Sequence, residues 1–177
     1  MVHMSLIYLS LGSNLNDRFA NLRRAIDELQ QVVTITAVSP VFATEPWGEV
    51  DQPPFLNICV AVSSDLSPRD LLHRVKEIER RMGRVESYRW GPRLIDIDIL
   101  FYDRLIVQDD ELTIPHPRIA ERAFVLAPLA VLIPDFRHPQ TGLTVEEMLD
   151  QVDATGVERM VELPFPTAEP QAAVAHA

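Results

Sequence analysis

A chain of 177 residues, 47% hydrophobic and 24% charged, has the size and balance of one ordinary globular domain that needs no covalent staples. Its formal net charge of −10 argues against nucleic acid or an anionic membrane surface as the main partner, but not against a small anionic ligand held by local charge. No stretch is long and apolar enough to span a bilayer, no secretory leader precedes the first expected strand, and the single cysteine, Cys59, has no internal disulfide partner; together these predict a reducing, cytoplasmic setting.

In chain order, Ser5 to Leu11 is apolar at Leu6, Ile7, Leu9 and Leu11 and predicts a strand running into the Gly12-Ser13-Asn14 turn. Phe19, Leu22, Ile26 and Leu29 recur at helical spacing, predicting a helix over about 17–31 with Asn16 as its cap. Val32 to Ala43 is β-branched and predicts one strand. Thr44 to Pro54, with three prolines, predicts a loop, and Phe55 to Ser64 another strand. Ser67 as cap, Pro68 in the first turn, a stripe of Leu71, Leu72, Val75, Ile78 and Met82, and Gly83 as terminator define a second helix. After a polar loop from Arg84 to Pro92, Leu94 to Phe101 predicts a strand, paired across Tyr102-Asp103-Arg104 with a short strand at Leu105 to Val107. Leu112 to Pro117 is extended, Arg118 to Ile133 predicts one or two helices stopped by Pro134, and Thr144 caps a short helix to Gln151. Strand, helix, strand, strand, helix, strand is the order of a ferredoxin-like α+β sheet with helices packed on one face, here followed by extra C-terminal helices. One domain is expected over residues 1–163, with the Pro- and Ala-rich residues 164–177 forming a disordered tail.

Chemistry concentrates in Arg93-Leu94-Ile95-Asp96-Ile97-Asp98-Ile99-Leu100-Phe101. Strand alternation sends Ile95, Ile97, Ile99 and Phe101 toward a helix-covered core and both aspartates to the other face. Paired carboxylates there fit either a magnesium site or a solvated polar face, although aspartate is poorly suited to strand interiors. Lys76 is the sole lysine among 16 Lys and Arg residues, and Arg84, Arg89 and Arg93 flank Trp90 just before the strand. Arginines can neutralise phosphate and an indole can stack on a flat ring, whereas compositional bias and core packing would explain them without a ligand. His116, between two prolines and close to Arg122, fits either a structural role or a phosphate-facing cluster. No P-loop and no dinucleotide-binding glycine motif is present.

Leu11-Gly12-Ser13-Asn14-Leu15, Thr44-Glu45-Pro46-Trp47-Gly48, Asp51-Gln52-Pro53-Pro54-Phe55-Leu56-Asn57, Glu79 with Gly83-Arg84, the block Arg89-Trp90-Gly91-Pro92-Arg93-Leu94-Ile95-Asp96-Ile97-Asp98, and Ile114-Pro115-His116-Pro117-Arg118 resemble 6-hydroxymethyl-7,8-dihydropterin pyrophosphokinase over about residues 5–150. That family moves pyrophosphate from ATP to the hydroxymethyl group of a reduced pterin, releasing AMP and feeding folate synthesis, on a ferredoxin-like fold. The resemblance implies two magnesium ions on Asp96 and Asp98, with Arg84 and Arg93 stabilising the transferring group. It implies ATP contacts from Glu79, Arg89, Trp90, Arg93, Ile99, Thr113, His116 and Arg122. It implies a pterin pocket of Thr44, Pro46, Trp47, Phe55, Asn57, Trp90 and Phe124. The chain departs from a relative at Glu45, Glu86, Glu111 and Pro117, and by one residue in the loop before Trp90. A monomer is expected, with ATP and the pterin as small-molecule partners. The rival expectations are a nucleotide-sensing domain without catalysis and a metal-dependent phosphohydrolase.

Overall fold

The computed structural model describes residues 2–45, 51, 53–83 and 94–163. Its main sheet runs β5-β1-β4-β3-β8, with β2 also paired to β4. The central strands β1 (Ser5–Ser13) and β4 (Phe55–Ser64) are antiparallel, and β5 (Asp96–Tyr102) flanks β1. The β-branched run after the first helix is not one strand. Ser39 and Pro40 divide it into β2 (Thr34–Val38) and β3 (Phe42–Thr44), because Pro40 offers no N–H to a ladder and Ser39 Oγ instead accepts the Cys59 N–H.

Helices α1 (Arg18–Leu29) and α2 (Pro68–Arg81) lie on the same face of the sheet. The cap of α1 is Asp17, which accepts the Ala20 N–H at 3.0 Å; the expected cap, Asn16, stands one residue outside with φ 55°. Helix α2 follows its signals: Ser67 accepts the Asp70 N–H at 3.1 Å and Gly83 ends the segment at φ +88°. Leu71, Val75 and Ile78 join Leu22, Ala25, Ile26 and Leu29 over Ile7, Leu9, Leu11, Ile58 and Val60 in one core. The C-terminal helices take the opposite face. There α3 (Ala123–Leu132) and α4 (Val145–Asp150) pack with Tyr8, Cys59, Ala61, Leu100 and Phe101 in a second cluster. Arg122 separates α3 from a short 3-10 turn at Ile119–Glu121, so 118–133 is two elements and Pro128 is accommodated inside the second. Thr144 caps α4 in a reciprocal box with Glu147.

Two further expectations need correction, and one strand was not foreseen. Phe101 does not share a face with Ile95, Ile97 and Ile99: between Tyr8 and Leu9 the β1–β5 register shifts, Leu100 is the extra residue, and Phe101 turns to the α3 side. The segment after the Tyr102 turn does not pair with β5; β6 (Val107–Gln108) pairs with β7 (Thr113–Ile114) in a separate ribbon. Beyond α4 the chain returns as β8 (Val157–Arg159) against β3, a strand without a strong apolar signal. The expected tail, 164–177, lies outside the described residues.

Candidate active site

Alternation on β5 buries Ile97 at 1% exposure among the α1–α2 core residues and turns Asp96 and Asp98 together to the α3 side, as the sequence spacing predicts. Three elements converge on this pair. Helix α2 supplies Glu79, which is 2% exposed; its Oε1 accepts the Ile97 N–H at 2.8 Å, and Lys76 Nζ sits 3.4 Å from its Oε2. The main-chain amide between the two aspartates is thus held by a buried carboxylate. The segment after β7 supplies His116, whose Nε2 is 3.9 Å from Asp98 Oδ2. Its Nδ1 accepts the Arg118 N–H at 3.2 Å, so the neutral ring carries its proton on Nε2, facing Asp98. The start of α3 supplies Arg122, whose Nη1 donates to Asp98 Oδ2 at 3.5 Å and whose guanidinium lies 5.7 Å from the Phe124 ring centre.

The electrostatics are those of a crowded polar recess. Burial first and Asp96 second push the Asp98 carboxyl up to about 6, against partial relief from Arg122 and Lys76. Burial and the Arg122 charge hold His116 down at about 4, leaving it neutral near pH 7. Divalent cations would remove the cost of two adjacent anions, and the oxygen-rich, partly open pair suits a hard ion such as magnesium. Among the described residues no group of three or more His, Cys, Asp or Glu side chains stands where it could hold a metal ion.

Polar residues continue across the same face. In register, Asp96 faces Gly12 on β1 and Gly12 faces Asn57 on β4, so Asn57 stands roughly 10 Å from Asp96 across two strand spacings. Asn57 is 3% exposed and its Nδ2 donates to Thr44 Oγ1 at 3.4 Å. Gly12 leaves room for the Asn57 carboxamide: a Cβ at this position would lie 2.7 Å from Asn57 Oδ1 and 3.8 Å from the Phe55 ring. Thr44 and Phe124 also line a cavity of about 450 Å³ closed by Ala123 and Val157 and edged by Glu45, Glu121 and Asp153. Arg18 Nη1 donates to Pro54 O at 2.6 Å and fixes the approach to Phe55.

The structure therefore gathers Asp96, Asp98, His116 and Arg122 at one end of the face, with Glu79 behind them on the α2 side, and sets Thr44, Phe55, Asn57 and Phe124 further along it. Thr113 is half-buried on β7, where it pairs with Gln108. Two expectations change. Ile99 is 5% exposed inside the α1–α2 core, so its side chain cannot line a nucleotide site and only its main chain remains available. Glu79 is buried beneath β5 rather than open to a nucleotide; Leu71, Val75 and Glu79 recur at four-residue spacing on the apolar stripe, the signal that foretells this. Lys76 and Gly12 are the residues that sequence reasoning passed over. The signal for Lys76 is its position three residues before Glu79, and for Gly12 its place opposite Asp96. Pro46, Trp47, Arg84, Glu86, Arg89, Trp90 and Arg93 lie outside the described residues.

Comparison with known proteins identifies the family. The profile of the family described as 7,8-dihydro-6-hydroxymethylpterin-pyrophosphokinase matches residues 8–134. A 2-amino-4-hydroxy-6-hydroxymethyldihydropteridine pyrophosphokinase of Methylorubrum extorquens is 44% identical over 159 residues, covering 89% of this chain and 99% of that protein. One of the same name from Bacillus subtilis is 41% identical over 145 residues, 81% of this chain and 87% of that one. A solved chain of Plasmodium falciparum HPPK-DHPS superimposes with TM-score 0.72 at 16% identity, over 90% of this chain and 49% of that larger one, and so supports the ferredoxin-like fold. With a family profile covering most of its length and near-full-length relatives at this identity, the chain belongs to the 7,8-dihydro-6-hydroxymethylpterin-pyrophosphokinase family.

Proposed function

We infer that the recess on the α3 side of the sheet performs the family's reaction with the residues named above. The chain is an ATP-dependent diphosphotransferase of folate biosynthesis: it transfers pyrophosphate from ATP to the hydroxymethyl group of 6-hydroxymethyl-7,8-dihydropterin and releases AMP. The observation that carries the site assignment is the pair Asp96 and Asp98 on one strand face, with Asp96 in register through Gly12 with Asn57.

Asp96 and Asp98 would hold two magnesium ions, and bound there magnesium neutralises the phosphate chain and polarises the phosphorus under attack. Glu79 and Lys76 keep the β5 backbone in place beneath that site. His116, neutral and with its Nε2 proton on the Asp98 side, and Arg122 donate to phosphate oxygens held at that carboxylate. Phe55 and Phe124 take the two flat faces of the pterin, while Asn57 and Thr44 read its polar edge. Arg122 lies against both ends, near Asp98 and over Phe124, and so couples nucleotide and acceptor. Arg84 and Arg93 act on the transferring group, and Arg89 and Trp90 on ATP, with Pro46, Trp47 and Trp90 completing the pterin side. Holding both substrates on one rigid face supplies proximity, and fixed donors supply charge stabilisation.

One domain spanning 1–163 is supported by two apolar clusters that share a single sheet. We take the protein to be a cytoplasmic monomer: no described helix is long and apolar enough to cross a membrane, and the lone buried Cys59 suits a reducing compartment. Incubation with ATP, magnesium and the hydroxymethyl pterin, followed by mass spectrometry, is expected to yield AMP and the pterin diphosphate in equal amounts. ADP, or free phosphate formed without the pterin, would instead mark a kinase or a phosphohydrolase.

A further inference from the structure

On the outer flank of α2, Arg69 and His73 stand one helical turn apart and both reach the turn between β6 and β7. Arg69 Nη2 donates to Asp109 Oδ2 at 2.6 Å and its Nη1 to Glu111 Oε2 at 2.7 Å. His73 Nε2 lies 2.6 Å from Glu111 Oε1. Within the turn, Asp109 Oδ1 accepts the N–H groups of Glu111 and Leu112, both at 2.9 Å. One carboxylate therefore shapes the turn with one oxygen and is held by α2 with the other.

The position of this turn has consequences at the site. Leu112 and Ile114 are buried in the α1–α2 core, Thr113 lies between them, and the His116 N–H donates to Leu100 O at 3.0 Å on β5. The chain from Asp109 to His116 is thus a short strut running from α2 to the edge of the aspartate strand. Single exposed ion pairs contribute little to global stability. A forked arginine spanning two carboxylates is different in kind, because its geometry fixes where the strut begins.

We propose that Arg69, clasped to Asp109 and Glu111 with His73 alongside, is a positioning residue for the nucleotide, setting where Thr113 and His116 stand. The proposal rests on the assignment of Thr113 and His116 to ATP. In steady-state assays, Arg69→Gln is expected to raise KM for ATP by roughly three- to ten-fold while kcat and the pterin KM stay within about two-fold. Its Tm should remain within about 2 °C of the parent protein's. Arg69→Lys should restore only part of the loss, since an ammonium cannot fork across both carboxylates. Glu111→Gln should act in the same direction, and the double variant should be no worse than the poorer single one. Raising salt from about 50 to about 500 mM should shrink the difference between parent and variant. An unchanged KM for ATP in both single variants, with His116→Ala still raising it, overturns the proposal alone. A matched loss of kcat and of both KM values with a lowered Tm also overturns it, as a purely structural effect. If His116→Ala leaves KM for ATP unchanged, the nucleotide assignment fails and this proposal falls with it.

Discussion

Asp98 is held in a state it resists alone: burial and Asp96 raise its carboxyl to about 6, although Arg122 stands 3.5 Å away. That tension separates function from stability. Asp96→Ala and Asp98→Ala should each reduce turnover to background, while circular dichroism is unchanged and Tm shifts little, because each change removes one of two carboxylates that repel each other. Full turnover in both variants would refute the assignment. Gly12 supports a second prediction at this scale. In Gly12→Ala the new methyl meets the Asn57 carboxamide at 2.7 Å, and the end of a side chain, not backbone, must yield. Tm should fall little, and KM for the pterin should rise by about ten-fold or more with KM for ATP nearly unchanged. The paired aspartates were legible from alternation alone, and Asn57 and Thr44 only through resemblance. Gly12 stood in a motif of the resemblance with no role attached, since its importance comes from two strands meeting across β1.

Elements with a single strong signal read well from sequence. The apolar runs of β1 and β4 and the Ser67–Pro68 start of α2 are found where periodicity and capping place them. The exceptions share a cause: tertiary contacts decided among locally similar options. A bulge opposite Tyr8 turned Phe101 over, Ser39 and Pro40 broke a β-branched run, and β8 forms only because β3 offers it an edge. The loop between α3 and α4 offers a test through pH. His138 is 6% exposed, and its Nδ1 accepts the N–H groups of Gln140 and Thr141 at 3.2 and 3.3 Å. Burial lowers its pKa, so the folded protein keeps it neutral where the unfolded chain takes a proton. Stability contributed by this group is present above about pH 6.5 and lost as pH falls toward the lowered folded value. Urea titrations between about pH 7.5 and 5 should show that decline, and His138→Gln should flatten it. An identical slope in the variant would assign the decline to other groups.

At the scale of the molecule, one sheet carries α1 and α2 beneath and α3 and α4 above, and the proposed site lies on the upper face beside the start of α3. The ferredoxin-like order was readable from the sequence, whereas the second covered face was not, since α3 is apolar nearly all round and carries no directional stripe. The last strand and the residues after it pair with β3 and its approach, on the side proposed for the acceptor: Val41 N–H donates to Val161 O at 2.7 Å, and Val157 pairs with Thr44. Ending the chain at Thr155 should lower Tm and weaken pterin binding more than ATP binding, a difference that calorimetry with each ligand would reveal. The central claim, that Asp96 and Asp98 grip the phosphate chain through divalent ions, is tested most directly by calorimetric binding of a non-hydrolysable ATP analogue with and without magnesium. Magnesium should tighten binding by at least about ten-fold in the parent protein, and Asp96→Asn and Asp98→Asn should each remove that dependence. Equal magnesium dependence in parent and variants would contradict it.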